Sequence, residues 1–295
     1  MISVRDQIDK GLLVCPVTKA RLRLRSNELV SEAGAKYHVT DAGVPVLLAN
    51  ASEAEEYAAG SRQMLREYGS EATRGGAGLL KGIRASIRRD YRTKSSRAAL
   101  EQVLAAATDG QLCLSIGGGP TRICPDVTNL NIGCFPNVDV VADAHALPYG
   151  CSTVDSIYCE AVLEHLKDPA AAVREMFRVL KPGGKLIAIT PFLQRFHGYP
   201  NHFQNFTVVG HSLLFARVGF RIVESGTCVG PTYAVVSLVS AYFTQCLPKF
   251  VGLPLAAAWN IAGMCFLPLD LALNNSESSH VLASTTYVLA EKSAS

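Results

Sequence analysis

Charge is sparse in this chain. Only 18% of its 295 residues are Asp, Glu, Lys or Arg, and 28 basic against 25 acidic side chains leave a net charge of +3. A nucleic-acid-binding surface announces itself as a basic excess, so no nucleic-acid partner is expected. Paired cysteines are missing as well: nine cysteines are scattered with no Cys-X-X-Cys among them. An odd, unpaired set in a chain this long points to reduced thiols in a reducing compartment, with cytoplasm as the expected location. There is no Gly-Lys-Ser/Thr of a phosphate-binding loop. Arg5 and Asp6 interrupt the N-terminus before any signal-peptide core can form. With 48% hydrophobic residues the chain can still build a sizeable core, enough for one or two domains.

Residues 112–120 read Leu-Cys-Leu-Ser-Ile-Gly-Gly-Gly-Pro, an apolar run for a buried strand that ends in three glycines where the chain turns. Backbone without side chains at the carboxyl end of a parallel strand brings N–H groups within reach of a ligand. Gly117, Gly118 and Gly119 are thus the expected floor of a cofactor site. A dinucleotide site would open a long helix at these glycines. Pro120 and Pro125 leave room for about one turn before the next apolar stretch, 127–132, so the ligand expected is a mononucleoside with a small charged tail. A third strand follows from 138 towards Asp143, a fourth over 153–160, a helix over 170–180 and a fifth strand over 185–190. Only residues 133–137 separate the second and third strands, too few for a crossover helix. That helix is expected to be missing, replaced by an extended return of about 3.3 Å per residue.

Five segments in order carry a family resemblance: Gly117-Gly118-Gly119, Asp143-Ala144, Leu147-Pro148, Val162-Leu163-Glu164-His165 and Leu180-Lys181-Pro182-Gly183-Gly184. On these the chain resembles the class I S-adenosylmethionine-dependent methyltransferases of the small-molecule type, over about residues 112–226. The resemblance implies an α/β, Rossmann-like seven-stranded sheet and S-adenosylmethionine as cofactor. It implies that Gly117 and Gly119 pass under the methionine portion and that Asp143 and Ala144 lie along the adenine. Glu160 and Ala161 would stand where cofactor and acceptor meet. Ser115 occupies a place where an acidic residue is usual, Thr121 one where a further glycine is common, and Asn131 the position of the acid that accepts from both ribose hydroxyls; an amide oxygen can do only part of that.

Residues 1–50 form a small β-rich unit, with short strands at 22–24 and 28–31 joined through Ser26-Asn27. The unit resembles the zinc-ribbon-like activator of tRNA methyltransferases over about 40 residues. Such a ribbon needs four thiolates, and here only Cys15 is present, with Thr18 in the second cysteine's place. No metal is expected there, and none elsewhere in the chain. The unit is read as a cap held by Leu12, Leu22, Val44 and Leu47. A polar helical linker, 51–107, follows; within 81–94, Ile83 and Ile87 share one face and Arg84, Arg88 and Arg92 another. That basic face is read as solvated or as a clamp for an anionic acceptor or membrane.

The remaining residues, 108–295, make the methyltransferase domain. After its fifth strand a polar-aromatic loop, 196–207, carries His197 and His202, candidates for a general base toward an oxygen or nitrogen acceptor. Glu164-His165 is read as a helix start serving packing and capping. A sixth strand is expected over 220–223 and a seventh over 286–290. Between them, 230–273 holds Lys249 and Asp270 as its only charges and is cut by Pro231, Pro248, Pro254 and Pro268. A span needs about 20 mainly apolar residues, and the prolines leave pieces of about 20 or fewer, so the insertion is read as an apolar lid over the acceptor or a dimer face, then as a membrane-surface or re-entrant attachment, with a true span last. The reaction expected is direct methyl displacement onto a small-molecule or lipid-like acceptor. Two other readings stay open: a non-catalytic cofactor-binding partner subunit, and an RNA methyltransferase. The latter lacks its Asn/Asp-Pro-Pro-Tyr/Phe pocket, since the fourth strand ends Cys159-Glu160-Ala161-Val162.

Overall fold

The computed structural model describes residues 2–49, 91–105, 107, 110–120, 122–198 and 201–294. Most of the expected linker, with Ile83, Arg84, Ile87 and Arg88, lies outside these residues, as do Thr121 and Tyr199. The strands in chain order are β1 (Leu22–Arg25), β2 (Glu28–Ser31), β3 (Lys36–His38), β4 (Val46–Leu47), β5 (Cys113–Ile116), β6 (Thr128–Asn131), β7 (Val140–Ala142), β8 (Val154–Glu160), β9 (Leu180–Pro191), β10 (Arg221–Val229) and β11 (Thr285–Glu291). β1, β2 and β3 form a small antiparallel sheet, and the rest form one sheet in the order β10-β11-β9-β8-β5-β6-β7-β4. Within it β11 runs antiparallel to both neighbours, while every other pairing is parallel. The seven strands expected are present in sequence order, and the N-terminal unit adds an eighth by pairing β4 with β7 (Val46↔Val141, Leu47↔Ala142). This is an α/β, Rossmann-like methyltransferase fold.

The chain leaves β5 toward β6 and β7 on one side, then returns to lay β8 and β9 on the other. That reversal between β5 and β8 is the switch point at which open α/β sheets bind ligands, beyond the carboxyl ends of the strands. Among the described residues neither β5–β6 nor β6–β7 is joined by a helix. Arg122 holds these short returns in place by forking onto Asp139, with both N–O distances 2.8 Å. Asp139 in turn accepts the Asn129 N–H at 2.7 Å.

The N-terminal unit covers one face of the large sheet. Ile8, Leu13, Leu22, Leu29 and Leu47 share a core with Leu114, Leu130 and Val140. Each fully buried leucine contributes roughly 1.5–3 kcal/mol. Gln7 seals the seam: its amide donates to Thr128 Oγ1 at 2.9 Å and its oxygen accepts from the Tyr149 hydroxyl at 3.0 Å. Cys15 is buried at this junction, 3.0 Å from the Tyr37 hydroxyl. Burial raises the thiol, but hydrogen bonds from Thr18 and Tyr37 outweigh it and hold Cys15 below its ordinary pKa. The helices Pro169–Val179 and Val208–Ala216 continue the cover on the same face. Lys94–Leu104 packs Ala99, Leu100 and Val103 against Tyr158, Ile187 and Leu289 on the other.

Two elements differ from expectation. The Leu-Lys-Pro-Gly-Gly segment does not sit between helix and strand: β9 starts at Leu180, which pairs with Val154, and the register slips before Lys185 pairs with Ser156. Gly183, at φ +77°, makes that slip, and Gly184 passes so close to the Asp155 carbonyl that no side chain fits. The 230–273 insertion forms two long helices, Pro231–Cys246 and Lys249–Phe266, followed by a short Asp270–Leu273 turn of helix. Both helices are shorter than 20 residues, as the proline spacing suggested, and they part at Pro248. Pro231 takes the first helical turn and Pro248 the N-cap, where no intrahelical N–H is needed; Pro254 is the one inside a helix.

Candidate functional site

The carboxyl ends of β5 and β8 place the first group of residues. Gly117 and Gly119 both have positive φ, +76° and +58°, a conformation glycine adopts without the Cβ penalty. A Cβ on Gly117 would collide with Val162, just beyond β8, and one on Gly118 with Asn129 and Ser115 beneath it. Gly119 differs: nothing lies within 4 Å of where its Cβ would be. Asn129, fully buried, anchors the turn by donating to the Gly119 carbonyl at 3.2 Å and to the Asn137 carbonyl at 2.9 Å. Ser115 Oγ and Asn129 Oδ1 lie buried under the turn without hydrogen-bond partners. Ser115 thus supports the floor from below, directly under Gly118. The sequence reading missed Asn129; its signal was an amide in the middle of an otherwise buried strand.

Asn131 ends β6, its Oδ1 accepting the Gly133 N–H at 2.9 Å. Asp143 follows β7 and caps the short Ala144–Ala146 helix. Its Oδ1 accepts from both the backbone N–H and ring Nδ1 of His145, at 2.9 and 2.8 Å. Burial raises the Asp143 carboxyl, yet the two His145 bonds prevail and hold it below the usual range. Ala144 is buried beside it. The structure thus lines Gly117–Gly119, Asn131, Asp143 and Ala144 along consecutive strand ends.

Glu160 ends β8 in a different company. One Arg92 terminal nitrogen lies 2.8 and 2.7 Å from the two Glu160 oxygens, and the Tyr158 hydroxyl donates to the same carboxylate. Burial lowers the Arg92 pKa, but Glu160 more than reverses it. Burial and the same carboxylate push Tyr158 up. The sequence pattern places Arg92 on a basic face with Arg84 and Arg88, which lie outside the described residues; Arg92 itself bridges Val229 of β10 and ties Glu160 to the strand from which the helical insertion departs. The next residue, Ala161, sits at φ +54°, an uncommon conformation for a side-chain-bearing residue and one that clusters at functional sites.

His197 and His202 come together, ring centroids 4.4 Å apart, and His165 joins them at 5.2 and 5.7 Å. His202 has both ring nitrogens engaged: Nδ1 accepts the His197 N–H at 3.2 Å and Nε2 faces Asn205 Oδ1 at 2.6 Å. His197 Nδ1 donates to the Arg195 carbonyl at 3.0 Å, and His165 Nδ1 to that of Asn201 at 2.6 Å. Carbonyls only accept, so each neutral ring carries its lone pair on Nε2. Those two Nε2 atoms point at Glu164 Oε1, 3.7 Å from His165 and 3.8 Å from His197. The Glu164 carboxylate, the largest influence, raises His197; burial lowers His165. Glu164 is fully buried, and neither carboxylate oxygen has a hydrogen-bond partner. The sequence reading gives Glu164 and His165 a packing and capping role; their meeting with His197, 32 positions beyond His165, is not written in the spacing.

Comparison with known proteins adds the following. Residues 123–188 match a protein-family model described as a methyltransferase domain, a span that runs from before β6 into β9. The ubiquinone/menaquinone biosynthesis C-methyltransferase of Cronobacter sakazakii is 47% identical over 60 residues, 20% of this chain and 24% of that protein. The Klebsiella pneumoniae protein of the same name is 45% identical over 60 residues, with the same coverage. The chain thus matches about a quarter of the length of these curated relatives. Among solved structures, the 1,6-didemethyltoxoflavin-N1-methyltransferase of Burkholderia thailandensis shares 13% identity, covering 92% of this chain and 98% of that one, at a TM-score of 0.45. The phosphoethanolamine N-methyltransferase 2 of Haemonchus contortus shares 15%, covering 68% and 52%, at 0.40.

Proposed function

We propose that this chain is an S-adenosylmethionine-dependent methyltransferase that acts on a small, apolar or lipid-like acceptor. The observation that carries the reading is the β5 turn, where Gly119 opens onto free space while its carbonyl is held from below by Asn129. The residues present fit the cofactor: a bare backbone cradle at the switch point, a polar side chain at the end of β6 and a carboxylate after β7. When bound, S-adenosylmethionine supplies an electrophilic sulfonium methyl for in-line displacement. Gly117–Gly119 hold its methionine portion, Asn131 meets the ribose, Asp143 and Ala144 flank the adenine, and Glu160 marks the acceptor side. Methyl displacement asks the protein mainly for alignment and exclusion of water. His197 and His202, on the loop after β9, line the acceptor end.

The helical insertion bears on the acceptor's chemistry. It leaves β10 at the same sheet end as Glu160, and many of its apolar side chains face outward, Phe250 at 81% and Leu271 at 80% exposure. Residues Lys249–Leu273 are long and apolar enough to cross a membrane, and most of them are not buried. We read this hairpin as an apolar platform that gathers the acceptor from the cytoplasmic side of a membrane. The N-terminal unit serves as a permanently attached cover, in the manner of a ribbon activator that has lost its metal.

Calorimetry with S-adenosylmethionine, followed by turnover on quinol-like and phospholipid-like acceptors, tests the proposal. The wild type is expected to bind in the micromolar range and to transfer methyl groups. Gly119→Val fills the open space above the turn and is expected to abolish binding while the fold persists. Unchanged binding in that variant overturns the cofactor assignment. Binding without transfer to any acceptor favours the partner-subunit reading.

A further inference from the structure

We infer that Glu164, His165 and His197 bind one divalent transition-metal ion of the zinc class through Glu164 Oε1 and the Nε2 atoms of the two histidines. The site uses none of the cradle residues and stands whether or not the methyl-transfer reading holds. The three ligand atoms already lie within 4.8 Å of one another. A tetrahedral zinc with ligand bonds of about 2.0–2.2 Å holds its donors about 3.4 Å apart. The observed 3.7 and 3.8 Å need only a small inward movement of the rings.

Three features point to a metal rather than to a proton. First, Glu164 is fully buried with both oxygens unpartnered. A buried carboxylate in that condition costs several kcal/mol unless a cation joins it. Second, both imidazoles donate Nδ1–H to backbone carbonyls, which fixes the tautomer and turns each Nε2 lone pair toward the carboxylate. Metal-binding histidines are oriented by outer hydrogen bonds of this kind. Third, one proton can join Glu164 to one ring only, and at these distances it makes no hydrogen bond. A metal ion satisfies all three groups at once.

The frame is built independently of the ligands. The Phe203 N–H donates to the Glu164 carbonyl at 2.8 Å, and the Gln204 amide clamps the carbonyls of Leu163 and Leu166 at 3.0 and 2.9 Å. The Phe203 bond runs from backbone to backbone, so it survives any change in the ligand side chains. Two histidines and one carboxylate leave at least one coordination position for water or an oxygen of a bound molecule, as in three-ligand zinc sites.

The test is metal binding by the full chain. After chelator treatment and reloading, about one zinc per chain is expected, with Glu164→Gln and His197→Ala each weakening binding at least about 100-fold. Cobalt in place of zinc is expected to give visible bands of a nitrogen and oxygen site without near-ultraviolet thiolate bands, which separates it from capture by the free cysteines. Should a variant fail to fold, nitrogen-15 histidine spectra of the wild type decide: zinc is expected to shift the Nε2 signals of two rings. Absence of zinc after reloading, thiolate bands with cobalt, unweakened binding in His197→Ala or unshifted histidine signals each overturn the site.

Discussion

Asn131 holds the Gly133 N–H with its one carbonyl oxygen, at 2.9 Å, so its acceptor capacity toward a ribose is shared. Asn131→Asp keeps the shape and that bond while supplying a second, charged acceptor. A charge-assisted hydrogen bond exceeds a neutral one by about 1 kcal/mol, so S-adenosylmethionine is expected to bind about 5-fold tighter to the variant by calorimetry. Equal affinity would show that this side chain does not meet the ribose. The placement of the glycines and Asp143 at strand ends was legible because each answers a local demand: a turn without side chains, a cap at a strand end. Arg92 and Glu164 were not, since their partners lie far along the chain: Arg92 meets Glu160 across 68 residues. Spacing in sequence carries no trace of such a pairing until the sheet brings the strand ends together.

At the level of elements, the Val208–Ala216 helix buries His211 completely against Phe206 and Phe215. Nδ1 reaches Thr286 Oγ1 at 3.1 Å, and Nε2 has no partner. Burial pushes this histidine down to about 3. The folded chain therefore keeps the ring neutral while the unfolded chain takes up a proton below about 6.5. Its contribution to stability is fully present above that value and declines as pH falls from about 6.5 toward 3, where the loss is complete. In His211→Leu this loss is absent. Between about pH 7 and 5 the stability of the variant relative to wild type is expected to improve by about 2 kcal/mol in urea titrations. A difference that stays constant with pH would mean that the ring takes up a proton in the fold as readily as in the unfolded chain. Secondary structure was largely legible from apolar runs and glycine punctuation. The β9 slip was not, because Pro182 and Gly183 read locally as a stop and only the pairing with β8 carries the strand through them. The insertion's division at Pro248 was legible, but not that Pro254 would sit inside a helix, since a proline's position within a helix cannot be read from the residue alone.

For the molecule as a whole, the helical hairpin is closed on itself rather than on the sheet. Asp270, almost fully buried, accepts the N–H groups of Thr232 and Tyr233 at 2.9 and 3.1 Å and so caps the start of Pro231–Cys246 from the far end of the insertion. Trp259 donates to the Val236 carbonyl at 3.0 Å, and Gly252 and Gly263 let the two helices approach. Self-capping leaves the outer apolar side chains for a partner. The double variant Phe250→Asp, Leu271→Asp changes only exposed positions. It is expected to keep the fold and cofactor affinity but to raise KM for an apolar acceptor about 10-fold, the size of losing one to two buried apolar contacts, leaving a water-soluble analogue unaffected. An equal loss on both acceptors would deny the platform its role, and retention of the wild type in membranes through a carbonate wash would show an embedded hairpin instead.

The pairing of β4 with β7 joins Val46 to Val141 across 95 residues. During synthesis the first three strands leave the ribosome early, yet the surface that buries Leu22 and Leu29 comes into being only when β5, β6 and β7 have followed. The small sheet must wait, its apolar side bare, for a neighbour that the ribosome has not yet made. Once β7 arrives, one act both shields the early strands and caps the last open edge on that side of the sheet. The cover and the edge therefore form late and together, and a nascent chain stalled before residue 140 is the form of this protein most exposed to sticking to its neighbours.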